Sequence, residues 1–386
     1  MANPPANGRL DHIDAMRAIA VLFVIWTHYA ELLAPLAGSQ HGLDALQRSV
    51  NFGRVGVVIF FGISGMLIPN SLRGSIADGT RKFLIRRFMR LYPAFWFSIP
   101  LGYFAYWTLF QQKMSSIGIL VNLTMIPTAF GFDTIMGHYW TLETELYFYI
   151  LCLVLFWGGL LHQMRALVTA SAGLCILFVL TTALHVIPSH ALGQYKGMLY
   201  HLSIMFWGAV FRKAYDEPNA ILFIWPRRGS TPTLSMTYRG VLIALTALIA
   251  LTAVAITLYN LRRHDYAHVS SSIGYLVGIT LFVSFATTFK VHRRSFAWLG
   301  RLSYSVYLLH GIPLYLVFWL CRHYQWTGAP LGVYMLAPLV PAIALSWLSF
   351  KFCEAPSIRA GHALTCARQT HLTERARPAV ACSQRS

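Results

Sequence analysis

The chain has 386 residues, of which 56% are hydrophobic and 11% are charged, whereas soluble domains carry about 25% charged residues. This balance excludes an ordinary soluble protein, and an aromatic content of 14% excludes a disordered chain, because so much apolar surface is not left in water. The formal net charge is +18, but the basic residues fall between apolar runs. That placement indicates membrane topology and predicts no nucleic-acid partner.

Ten apolar runs of about 17 to 25 residues are long enough to cross a bilayer core of about 30 Å. They lie at 16–34, 54–70, 91–110, 144–160, 166–187, 197–213, 238–259, 271–289, 301–321 and 331–352. Residues 115–130 are apolar but short, and their run ends at Pro127, which predicts a re-entrant or interfacial segment. The predicted fold class is all-α: a polytopic membrane helix bundle of about ten transmembrane helices.

Basic residues predict the orientation, because positively charged loops stay in the cytoplasm. With both termini cytoplasmic, 24 of the 31 Lys and Arg fall on the inner side. We predict one membrane domain over 1–356 and a flexible, basic C-terminal tail over 357–386. Asp11 and Asp14 precede the first apolar run, so we interpret that run as a transmembrane helix rather than a signal peptide. The six cysteines show no C-x-x-C or His-paired spacing, which predicts no metal site.

The first helix carries polar residues on one face. Steps of three and four residues connect Asp14, Arg17, Val21, Val24, His28 and Glu31. Ionisable groups at membrane depth are costly, so each is a candidate functional residue. Arg17 and His28 are eleven residues apart, about 16 Å along the helix axis. His28 can act as a general base, although an isolated histidine is more often a packed, hydrogen-bonded core residue.

A second cluster opens the fourth apolar run, where Trp140 and Tyr149 flank Glu143 and Glu145. A helix running inward from there places Glu145 near the depth of His28, and a carboxylate beside a histidine orients the ring. The alternative is an interfacial aromatic belt with a solvated acidic helix start.

A third cluster consists of arginines at the cytoplasmic end of the third run. Arg86, Arg87 and Arg90 have helical spacing, and together with Arg17 they form a candidate phosphate site, because guanidinium groups bind phosphates through paired hydrogen bonds. Positive-inside topology and binding to anionic lipids are the alternatives.

Two further stretches have less distinctive chemistry. Ser64 and Gly65 bring small residues into a helix, which favours close helix packing. His310 follows Arg301 on a late helix, and it either lines the same cavity as His28 or bonds a neighbouring carbonyl.

Taken in chain order, these segments resemble the bacterial integral-membrane acyltransferase-3 family, which includes O-antigen and Nod-factor O-acetyltransferases. Tyr147, Val58 and Gly311 depart from the family pattern, where Gln, Asp and Pro are usual. The matching elements are Arg17 with His28, Phe60-Phe61-x-x-Ser64-Gly65, Arg86-Arg87-x-x-Arg90-Leu91-Tyr92-Pro93, Trp140-Thr141-Leu142-x-x-Glu145 with Phe148-Tyr149, Ser303-Tyr304-x-x-Tyr307-Leu308-x-His310, and Glu354-x-Pro356.

The resemblance implies transfer of an acyl group, most often acetyl, from acyl-CoA to a hydroxyl of a cell-surface carbohydrate or glycolipid in the bacterial inner membrane. Acyl-CoA is then a co-substrate, no cofactor is bound, and membrane lipids surround the chain. The predicted site comprises catalytic His28 and Glu145, donor-binding Arg17, Arg86, Arg87 and Arg90, and cavity-lining Trp140, Ser64, Tyr149 and His310.

Two other classes of function remain open from the residues alone. A proton-coupled transporter or flippase also needs intramembrane His, Glu and Arg, although the sequence shows no inverted repeat. A structural or sensory membrane protein predicts that substitutions at Arg17, His28 and Arg90 are silent.

Overall fold

The computed structural model describes residues 8–38, 46, 49–184, 197–225 and 234–375. The described chain is built almost wholly from helices, with one short antiparallel strand pair, β1 (Ile221–Trp225) and β2 (Leu234–Thr237). The helices are α1 Gly8–Leu33, α2 Phe52–Leu67, α3 Ile76–Gly102, α4 Ser116–Asn122, α5 Trp140–Trp157, α6 Met164–Ala183, α7 Met198–Asp216, α8 Tyr238–Arg262, α9 Tyr266–Thr287, α10 Arg294–Leu309, α11 Gly311–His323, α12 Leu331–Ser349 and α13 Ala355–Arg375.

The predicted all-α, polytopic membrane bundle is confirmed. Among the described residues, seven helical segments are long and apolar enough to cross a membrane, and the bent pair α10–α11 raises the number to eight. The predicted runs 91–110 and 197–213 also fall on helices, α3 and α7, which lie outside that set. The count of ten spans and the cytoplasmic termini therefore stay predictions.

Helix α1, which carries the polar face, lies inside the bundle. It packs against α2 and α10, while α2 in turn packs against α7 and α9. Ala15, Ala18 and Ala20 of α1 are fully buried, and such small side chains let neighbouring helices approach closely. Arg17 and His28 of α1 are partly buried between helices, whereas Glu31 is exposed. A buried hydrogen-bonding group at membrane depth needs a protein partner.

Glycines set the tightest helix contacts. A Cβ added to Gly65 of α2 would overlap the backbone carbonyl of Met205 in α7, and a Cβ on Gly208 would overlap the carbonyl of Gly62. The predicted packing role of the small residues around Gly65 is confirmed. Ser64 has a further contact, described below with the site.

Gly300→Ala is expected to destabilise the protein, because the new Cβ would overlap the backbone carbonyl of Asp14 where α10 crosses α1. A backbone atom cannot move aside as a side chain can, so we expect a loss of about 1–3 kcal/mol. The measurement is the thermal unfolding midpoint in detergent. Gly173→Ala in α6 is the matched control, since nothing lies within 4 Å of its added Cβ. An equal midpoint for the two variants would contradict the assigned contact.

Two predictions concern segments outside the apolar runs. Within 115–130 the structure has only the seven-residue α4 and a short 3-10 turn at Pro127–Phe130, and α4 is about 10 Å long, too short to cross the bilayer. The flexible tail predicted from residue 357 is wrong as far as Arg375, because α13 is helical there and packs against α3. The division at residue 356 into domain and tail stays a prediction.

The late apolar run is broken next to His310. Helices α10 and α11 meet at an angle of 52°, and Pro313 lies in the first turn of α11, where its missing N–H is tolerated. A Cβ on Gly311 would lie 2.7 Å from Met136 Cε and 3.2 Å from His138 Cε1. Glycine at this position therefore leaves room for the ring of His138.

Candidate active site

Three histidines from distant parts of the sequence meet inside the bundle. His28 lies on α1, His138 lies in the short helical turn before α5, and His310 lies at the break between α10 and α11. The rings of His28 and His310 stack with their centroids 5.1 Å apart, and those of His138 and His310 are 4.5 Å apart. His310 is fully buried.

Hydrogen bonds determine which nitrogens carry protons in the neutral rings. His310 Nδ1 lies 2.8 Å from the carbonyl oxygen of Tyr307, and a carbonyl only accepts, so Nδ1 donates and Nε2 has the lone pair. His28 Nδ1 lies 2.8 Å from that Nε2 and therefore donates to it. This assignment leaves His28 Nε2 unprotonated, the state that a general base requires. The tautomer follows from the hydrogen-bond network.

The ring of His28 lines a cavity of about 200 Å³. The polar residues on its wall include Glu31, Arg54 and His138, and Trp140 also lines it. The role of Trp140 in binding a substrate stays a prediction. His310 bonds a backbone carbonyl of its own helix, the second of the two interpretations given from sequence, and it also contacts His28.

Glu145 does not orient His28. Its Oε1 accepts a hydrogen bond from Tyr149 at 2.7 Å and another from Ser64 at 3.2 Å. Within the described part of the chain, Glu145 and His28 share no hydrogen bond or ion pair. The sequence argument placed both at similar depth, but Glu145 and Tyr149 point to a different region, and His310 takes the partner role instead.

Glu145 belongs to a second cluster, around the predicted donor-binding arginines. Its charge interacts with those of Arg17 and Arg87, and the charge of Arg90 interacts with both arginines. Arg17 also pairs with Asp14 at 3.2 Å. We call Arg17, Arg87 and Arg90 the arginine cluster.

Arg86 has a hydrogen-bond partner outside the arginine cluster. Its Nε donates a hydrogen bond of 2.9 Å to Thr365 on α13, whereas Arg87 lies over the rings of Phe83 and Tyr149. Neighbouring residues on a helix point about 100° apart, so the adjacent Arg86 and Arg87 leave α3 in different directions. The prediction that Arg86 shares this site is not met by the structure.

The chain matches a known protein family. A family model described as an acyltransferase domain matches residues 10–351. The chain belongs to this acyltransferase family. It is a multi-pass membrane protein of this family, and the resemblance stated from its motifs is confirmed.

Three relatives of the acyltransferase align over most of its length. It is 25% identical over 374 residues to "Putative peptidoglycan O-acetyltransferase YrhL" of Bacillus subtilis (strain 168), which covers 89% of this chain and 54% of that protein. It is 24% identical over 411 residues to "Nodulation protein 10" of Rhizobium leguminosarum bv. viciae, covering 95% and 98%. It is 22% identical over 405 residues to "Regulator of hypoxia-inducible factor 1" of Caenorhabditis elegans, covering 91% and 80%. The chain thus spans about half the length of the first relative, and no solved structure matches it.

Two residues near the candidate site were not predicted from the sequence. His138 stands two positions before Trp140, and its place beside the tryptophan motif was the available signal. Arg54 is the first residue of the apolar run 54–70. It lines the cavity, lies 5.2 Å from the ring centroids of Trp140 and Tyr275, and donates to His201 Nε2 at 3.2 Å. Asn51 caps α2 by accepting a bond from the Arg54 backbone, which fixes Arg54 in the first turn of that helix.

Proposed function

We propose that this acyltransferase moves an acetyl group from cytoplasmic acetyl-CoA to a hydroxyl group of a cell-surface or exported carbohydrate, with His28 as the general base. The observation that carries the proposal is the hydrogen-bonded chain from the Tyr307 carbonyl through His310 to His28. That chain leaves an unprotonated nitrogen on a ring that lines the cavity. The proposed location of the protein is the bacterial inner membrane.

The arginine cluster is the proposed binding site for the phosphates of CoA. Guanidinium groups bind phosphate oxygens through charge-assisted, paired hydrogen bonds, and Arg17, Arg87 and Arg90 bring three of them together. Arg17 and His28 lie on the same helix about 16 Å apart along its axis, a length that an extended pantetheine arm can span. With the predicted orientation, the phosphates stay at the cytoplasmic face while the thioester reaches the histidines.

The proposed reaction is direct attack of the acceptor on the thioester. His28 Nε2 takes the proton of the acceptor hydroxyl as its oxygen bonds to the carbonyl carbon, and the carbon–sulfur bond then breaks to release the CoA thiolate, which takes up a proton. While His28 is protonated, its Nδ1–H still donates to the neutral Nε2 of His310, so the positive charge is stabilised by an existing hydrogen bond. Preorganised partners of this kind cost no reorganisation during the reaction.

The name of one relative supports transfer of an acetyl group to a carbohydrate acceptor. That relative is described as a putative peptidoglycan O-acetyltransferase, and peptidoglycan presents sugar hydroxyls. The cavity also suits a sugar, because Glu31 and Arg54 on its wall offer an acceptor and donors for hydroxyl groups.

Membrane vesicles of defined orientation test the function. Inverted vesicles that contain the chain, supplied with acetyl-labelled acetyl-CoA, are expected to place label in the glycan and lipid fraction. Right-side-out vesicles given the same donor outside are the matched control and are expected to remain unlabelled, because the arginine cluster faces the lumen. Equal labelling of both preparations would contradict the assigned donor side. Movement of an unmodified glycan without label from acetyl-CoA or succinyl-CoA would instead indicate the carrier function.

A further inference from the structure

We propose that His28, His138 and His310 form a binding site for a divalent transition-metal ion of the zinc class. One ligand-capable atom from each of the three side chains lies within 4.8 Å of the other two. Two nitrogens bound to one tetrahedral zinc ion at about 2.1 Å are about 3.4 Å apart. The separations in the structure therefore require side-chain movements of only about 1 Å to reach that geometry.

The outer hydrogen bonds of the cluster resemble those of metal-binding histidines. A histidine that binds a metal almost always donates its other ring nitrogen to a carbonyl or carboxylate, which fixes the tautomer. His310 Nδ1 is bonded to the Tyr307 carbonyl at 2.8 Å, and His138 Nε2 lies 3.4 Å from the Leu308 carbonyl. His310 Nε2 and His138 Nδ1 are thus the nitrogens left with lone pairs for an ion.

The chemistry of the site selects the class of ion. Three imidazoles suit zinc, copper, nickel or iron and do not suit magnesium or calcium, which need oxygen ligands. The cavity lined by His28 and His138 gives room for a water molecule as the fourth ligand, and the carboxyl-bearing Glu31 lies on the same wall. Three protein ligands with one open position is an arrangement typical of an accessible zinc site.

Binding of the ion has a consequence for His28. The nitrogen that approaches His310 is Nδ1, so coordination through Nδ1 requires its hydrogen to move to Nε2. The ring stays neutral and no proton is released, because one nitrogen loses the hydrogen that the other gains. His28 Nε2 is then a donor and no longer a base. Zinc is therefore expected to inhibit acyl transfer reversibly, a consequence that rests on the proposed function, whereas metal binding does not.

Metal binding is tested on the purified full chain in detergent, carrying an affinity tag without histidines. After removal of metals with a chelator, the protein is titrated with Zn²⁺, and bound zinc and the thermal unfolding midpoint are measured. Wild type is expected to retain one Zn²⁺ per chain with a raised midpoint, since a ligand that binds the native state stabilises it. His138→Gln and His310→Gln are each expected to weaken binding by roughly 100-fold or more. His323→Gln, at an exposed position, is the control and is expected to bind like wild type.

Equal zinc binding by wild type and both cluster variants would overturn the proposal. If the variants do not fold, X-ray absorption of the zinc-loaded wild type decides, with three nitrogen neighbours at about 2.0–2.1 Å expected and a shell of oxygens alone overturning the site. Acyl transfer is measured separately, with and without Zn²⁺ and after chelation. Binding without inhibition would support the metal site while counting against His28 as the base. The binding measurement therefore tests the metal site, and the acyl-transfer measurement tests the base role of His28.

Discussion

His28→Gln is expected to lower kcat for acyl transfer by about 10²–10⁴-fold, the usual contribution of a general base. Glutamine keeps a side chain of similar length that can still donate a hydrogen bond to His310 Nε2, but it has no nitrogen that accepts a proton. The loss is therefore expected in kcat, with the KM for the acyl donor changed little, because the arginine cluster lies elsewhere. Initial rates in inverted vesicles at several acetyl-CoA concentrations separate the two parameters.

His323→Gln is the matched control for this substitution, since it removes an imidazole from an exposed position at the end of α11. Its rate is expected to equal that of wild type. Amounts of inserted protein are compared by quantifying the chain in the membrane fraction. A His28→Gln variant that is inserted normally and keeps more than about a tenth of the wild-type kcat would contradict the base role.

The sequence predicted the helices well because a bilayer imposes a strong length and composition rule. It also identified two candidate site residues on α1, since ionisable residues at membrane depth are rare in an apolar segment. Arg17 and His28 were recognised for this reason. The number of membrane-spanning helices was harder to predict, because α3 contains arginines and the last turn of α7 is basic.

The partners of these residues were not predictable in the same way. His28 contacts a histidine 282 positions away, and no periodicity within one helix contains that information. Glu145 was expected beside His28 from depth alone, but the direction of its side chain depends on how α5 is rotated against α2. Ser64 and Tyr149 bond it on the side of the arginine cluster. Depth along a helix follows from residue number, whereas rotation between helices follows from packing of the whole bundle.

The direction of a side chain around its helix also distinguishes two adjacent arginines. Arg86 and Arg87 are equivalent in the sequence motif, yet Arg86 bonds Thr365 of α13 while Arg87 lies between Phe83 and Tyr149, with its charge coupled to Arg90 and Glu145. The adjacent pair therefore offers a comparison in which charge and side-chain volume are changed equally at two neighbouring positions.

Arg87→Gln is expected to raise the KM for acetyl-CoA by roughly 10- to 100-fold, the effect of losing a hydrogen bond between charged groups. Arg86→Gln, the matched variant, is expected to stay within about twofold of wild type, as do substitutions outside a binding site. Raising the ionic strength is expected to narrow the difference, because salt screens the attraction between guanidinium and phosphate. The KM values from inverted vesicles at two salt concentrations provide the check. Equal increases for both variants would mean that the donor binds along the whole basic run, and the arginine cluster would then have no special part in recognising the phosphates.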